Sequence, residues 1–73
     1  MAFKDYTRYY KVGNSTAELH SHRGGYSITY FRNGREFAKS DFLIKNGYNR
    51  NVGRIEALRE LKRFNYKSVK WGI

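Results

Sequence analysis

Alternation of apolar and polar positions dominates the first two thirds of the chain and gives way to a longer period in the last third. Tyr26-Ser-Ile-Thr-Tyr-Phe-Arg32 and Arg35-Glu-Phe-Ala-Lys-Ser-Asp-Phe42 flank the dipeptide Asn33-Gly34. Asn-Gly accommodates the two positive φ values of a type I′ turn, so the pattern predicts a β-hairpin. A two-residue loop sets the register: Arg32 opposite Arg35, Tyr30 opposite Phe37, Ile28 opposite Lys39. Tyr26, Ile28, Tyr30 and Phe37 then share the core face, while Ser27, Thr29, Ala38 and Ser40 share the outer face with Phe31 and Phe42.

Upstream, Ser15 to Ser21 places Ala17 and Leu19 on one side and Thr16, Glu18 and His20 on the other, as a half-buried strand requires. Phe3 to Val12 is rich in tyrosine and suits another strand, with adjacent Tyr9 and Tyr10 breaking the alternation. From Asn51 to Phe64 the period lengthens. Val52, Ile55, Leu58, Leu61 and Phe64, with Ala57, form an apolar side; Glu56, Arg59, Glu60 and Arg63 form the polar side, in two i,i+3 pairs. Asn51 is the expected N-cap and Asn65 the expected stop. Val69 and Trp71 alternate with Ser68 and Lys70, which suits a last strand. The expected fold is α+β: an antiparallel sheet of three to five strands with one helix, from the C-terminal half, packed on one face.

The chain has 73 residues, which makes residues 1–73 a single domain with a thin core. It has no proline, so glycine and asparagine supply the punctuation, and no cysteine, so it folds without disulfides. No apolar run has signal-peptide or membrane-span length. Fifteen Lys and Arg against six Asp and Glu give a formal charge of +9. The expected partners are polyanions: nucleic acid first, then an acidic protein surface or an anionic membrane.

The charge is uneven. Residues 1–44 hold seven basic and four acidic side chains, net +3, and residues 45–73 hold eight and two, net +6. The segment from Lys45 to Arg54 has little apolar content and suits a presented surface, with Lys45, Arg50 and Arg54 set for phosphates, Asn49 and Asn51 as hydrogen-bonding partners and Tyr48 as a stacking platform. Arg32 and Arg35 add a second basic point at the hairpin turn. Catalytic chemistry is poorly supplied. His20 and His22 share a strand face but have no evident third metal ligand, so no catalytic group, metal or cofactor is expected. Arg23-Gly24-Gly25 suits a tight turn.

The opening Met1-Ala2-Phe3-Lys4-Asp5-Tyr6, the tyrosine-rich first strand, the basic helix and the length together resemble a small transcription regulator of Xanthomonas bacteriophage. The resemblance implies a monomer in the host bacterial cytoplasm that binds RNA polymerase around the amino-terminal part of β′ and the β flap. There it would inhibit initiation at host promoters and promote antitermination, with nascent RNA or DNA as a second contact. The partner-binding residues Lys45, Tyr48, Arg50, Arg54, Arg32 and Arg35 follow from charge alone. The alternative is a direct DNA- or RNA-binding module whose hairpin face, carrying Arg32, Arg35 and Lys39, enters a groove together with the helix.

Overall fold

Three two-residue turns string the first four strands into a meander: β1 (Tyr6–Val12), β2 (Ser15–His22), β3 (Gly25–Arg32) and β4 (Arg35–Leu43). The computed structural model describes residues 5–69. Asn33 and Gly34 take φ values of 53° and 79°, the left-handed pair that a type I′ turn demands. A single 3-10 turn (Ile44–Asn46) leads to helix α1 (Arg50–Arg63), and β5 (Lys67–Val69) returns along the free edge of β1. The sheet is antiparallel in the order β4-β3-β2-β1-β5. Trp71, expected on the last strand, and Phe3, expected on the first, lie outside the described residues.

The hairpin register holds at Arg32 and Arg35 and then slips. Phe31 lies opposite Glu36, but Tyr30 lies opposite Ala38 and Ile28 opposite Ser40, leaving Phe37 as the extra residue of a β-bulge. Side chains alternate with period two, so one added residue exchanges the faces of everything after it. Ala38, Ser40 and Phe42 therefore point to the core side and Lys39 to the outer side, the reverse of the sequence expectation. Phe42 is buried at 9% exposure and Phe37 is left half exposed. The bulge and Lys39 also blunt β4 as a sheet edge, which discourages pairing with another chain.

Ala17, Leu19, Tyr26, Ile28, Tyr30 and Phe42 from the sheet meet Ala57 and Leu61 from α1 to form the core. The helix is turned away from its expected face: Gly53, Ala57 and Leu61 are buried, whereas Val52, Ile55 and Phe64 are exposed. Three residues of α-helix fall about 60° short of a full turn, so a stripe built on i,i+3 steps spirals around the helix. The i,i+4 series Gly53-Ala57-Leu61 drifts less, and its two small members let the helix come close to the strands. A Cβ on Gly53 would lie 3.3 Å from the carbonyl oxygen of Phe42. Gly25 clears the same oxygen from below, where a Cβ would sit at 2.5 Å and φ is +132°.

The helix ends are tied locally. The N-cap is Asn49, not Asn51: its Oδ1 accepts from the Val52 N–H at 2.9 Å. At the other end Asn65, at φ 67°, donates its N–H to Lys62 O, and the Tyr66 N–H reaches Leu61 O, the two bonds of a Schellman motif. No helix among the described residues is long and apolar enough to cross a membrane.

The orientation of α1 sets a contrast between two similar substitutions. Leu61→Ala should cost about 2–5 kcal/mol of unfolding free energy, as expected for a buried leucine, and Ile55→Ala less than about 1 kcal/mol. Urea unfolding midpoints measure both, and equal costs would refute the orientation.

Candidate functional site

The six basic and aromatic positions expected to bind a partner do not form one patch. Lys45 is exposed in the 3-10 turn, Arg50 opens α1, and Arg54 follows one helical turn later. Arg32 and Arg35 sit at the β3–β4 turn, the opposite end of an eight-residue strand and so roughly 25 Å away. Tyr48 is half-buried, its ring edge-on to Phe42 at 5.7 Å, and so helps close the core.

Arg50 is a structural pin. Its guanidinium donates to the His22 carbonyl at 2.7 Å and to Ser21 Oγ at 2.6 Å, and it stands 5.0 Å from the centre of the Tyr26 ring. It thereby fastens the helix start to the β2–β3 turn. Burial raises the Tyr26 phenol, but hydrogen bonds with Tyr6 and Ser21 and the Arg50 charge outweigh it and lower its pKa overall.

The register sorts the charges by face. Among the described residues the outer sheet face carries Lys11, Lys39 and Lys67 against Glu18, Glu36 and Asp41 on the strands, with Asp5 beside them just before β1. From Ile44 to Arg63 there are six bases (Lys45, Arg50, Arg54, Arg59, Lys62, Arg63) and two acids (Glu56, Glu60), a net +4. Arg8, Arg32 and Arg35 belong to the rows on the helix side. The basic surface is therefore the helix side, and the proposed groove-reading trio is split, because the bulge sends Lys39 to the other face. On the outer side of α1, Val52 and Ile55, 42% and 46% exposed, precede Arg59, Lys62 and Arg63, and Glu56 on the same side pairs with Arg59 at 3.4 Å.

A second site was missed from sequence. Glu60, expected to pair with Arg63 in solvent, instead adjoins the buried Gly53–Ala57–Leu61 stripe on its Gly53 side and turns to the sheet. Its Oε2 accepts from the Tyr30 hydroxyl and, at 2.6 Å, from Ser40 Oγ. Burial first, and then the hydrogen bond and charge of Glu60, push the Tyr30 phenol well above its ordinary pKa. These groups floor a pocket of about 560 Å³ walled by Phe37, Phe64 and Tyr66, with Arg32 at its lining. Tyr30 contacts all three wall rings, with centroids at 6.2, 6.4 and 5.5 Å. The Arg32 guanidinium lies 4.5 Å over the Phe37 ring. The only sequence signal was angular, since Glu60 adjoins the i,i+4 stripe.

The histidines line a groove on the outer face. His22 Nδ1 accepts from the Gly24 N–H at 3.1 Å, so Nε2 carries the proton and donates to Ser27 Oγ, which donates to Asp41 Oδ1 at 2.8 Å. The serine proton is committed to the carboxylate, an arrangement that stabilises a buried hydroxyl and does not prepare a nucleophile. His20 contacts Thr7 and Glu18. No group of three metal-ligating side chains occurs among the described residues. In comparisons with known proteins, no family model, no curated protein and no solved structure matches this chain.

Two outcomes follow. Arg50→Ala should cost about 1.5–3 kcal/mol, because its charged hydrogen bonds close the helix onto the sheet, while Lys45→Ala should change stability by less than about 0.5 kcal/mol. Chemical denaturation of both variants checks this. The raised Tyr30 pKa means that, above the ordinary value of 10.0, the unfolded chain releases a proton that the folded chain keeps, so folding loses stability as pH rises. Unfolding free energies between about pH 9 and 11 should fall less steeply in Tyr30→Phe than in the wild type.

Proposed function

We propose that this protein acts by binding, docking the outer side of α1 on an acidic protein surface, and that its target is the one its sequence resemblance implies, bacterial RNA polymerase. The observation that carries this reading is the mixture on that helix face. Val52 and Ile55 hold apolar surface in solvent on the first half of that face, and Arg59, paired with Glu56 at 3.4 Å, then Lys62 and Arg63 follow toward its end. Phosphates ask only for charge, whereas a protein interface takes a desolvated apolar centre with a polar, charged rim. The +9 charge would speed encounter with an acidic partner, and the apolar centre would hold it. Regulation of initiation or termination would then follow from occupying a surface by the RNA exit channel, with no turnover by the protein itself.

Capture from nuclease-treated bacterial lysate, with bound proteins identified by mass, tests the reading. Wild-type protein should retain polymerase subunits at moderate salt, and Ile55→Glu should lose them while keeping the wild-type far-UV spectrum. Polymerase absent from the wild-type capture, or bound equally by Ile55→Glu, would overturn it.

A further inference from the structure

We propose that the pocket between β3, β4 and the end of α1 binds an unpaired nucleobase of single-stranded nucleic acid. Its volume, about 560 Å³, falls in the roughly 300–1,000 Å³ range of small-ligand sites. Phe37 and Phe64 are 49% and 53% exposed, large apolar rings kept at the pocket mouth where they contribute little to the core. Bases stack on such rings whatever their sequence. At the floor, Tyr30 and Ser40 both donate to Glu60 Oε2, so among the described residues Oε1 receives no hydrogen bond and remains an acceptor for a base N–H. Arg32 and Arg35, exposed at the adjoining turn, stand where the sugar–phosphate chain would leave the pocket.

The aromatic walls and carboxylate also resemble a cage for an organic cation. Charge argues against that occupant: a chain of +9 repels a free cation while attracting a polyanion, and the Arg32 guanidinium covers one face of Phe37, which leaves the other for a base. A nucleotide satisfies both signs at once, its base N–H on Glu60 and its phosphate on the arginines. This site is distinct from the outer side of α1, so it stands or fails independently of the polymerase reading.

Fluorescence anisotropy with labelled ten-nucleotide strands decides the matter. A cytosine strand, whose amino group can donate to Glu60, should bind more tightly than a strand of abasic residues with the same phosphates. Phe64→Ala and Phe37→Ala, both at surface rings, should each weaken the cytosine strand about five- to 150-fold, the range that removing one stacking partner gives, and leave the abasic strand unchanged. Glu60→Gln keeps a carbonyl for Tyr30 and Ser40 but replaces the free acceptor with an amide donor, so preference should move from cytosine toward thymine, whose O4 accepts. Displacement of the strand by cytidine monophosphate would assign the site to free nucleotides, and failure of displacement would assign it to strands. Equal binding of cytosine and abasic strands, or unchanged binding in both phenylalanine variants, would overturn the proposal.

Discussion

One extra residue in β4 decides what the helix covers. In a strand the side-chain period is two, so inserting Phe37 as a bulge exchanges the faces of the remaining six residues of the strand at a stroke. Phe42 then enters the core, Ser40 reaches the helix, and Lys39 and Asp41 go to the polar side. Without the bulge, α1 would lie over Lys39 and Asp41, and burying two charges without paired, hydrogen-bonded partners is prohibitive. The bulge also leaves Phe37 free of the ladder, at the rim of the pocket that Ser40 and Glu60 floor. The same local irregularity therefore completes the core and opens the cavity.

The approach of α1 depends on what that exchange brings beneath it. The Phe42 carbonyl oxygen lies under Gly53 and beside Gly25, and neither position has room for an ordinary side chain without movement. Arg50 fixes the start of the helix against the β2–β3 turn, and Glu60 fixes its end through Tyr30 and Ser40. Between these two pins, Gly53, Ala57 and Leu61 seat the helix so that Val52 and Ile55 cannot reach the sheet. Their exposure is a geometric result of the small-residue contact.

The elements were legible in the sequence where local chemistry dictates them. Asn33-Gly34 marks its turn because few other pairs tolerate two positive φ values, and Asn65 marks the helix end for the same reason. The alternation in β2 gave its buried face correctly. The bulge left no such mark, since Phe37 satisfies the alternating pattern as well as a regular strand residue would. The helix face was obscured because glycine carries no apolar weight, although here its absence of side chain is what permits contact. Arg50 and Glu60 were assigned to solvent by residue type, and only tertiary packing gives them buried partners.

Removing Arg50 from the expected binding set sharpens where the charge can act. Arg50 is held half-buried against a carbonyl and a hydroxyl, so the more exposed cations lie on the outer side of α1, where Glu56 pairs with Arg59, and at the β3–β4 turn, where Arg32 also reaches Ser15. These groups differ in what surrounds them. Beside Arg59, paired with Glu56, and Lys62 lies the exposed aliphatic side chain of Ile55, which suits a flat contact that excludes water. Around Arg32 lie aromatic rings and a carboxylate acceptor within a concave site, which suit a planar ligand bearing both donors and negative charge. With no excess of bases among the described residues of the outer sheet face, the positive charge of this small protein gathers on the helix side, on two chemically different surfaces.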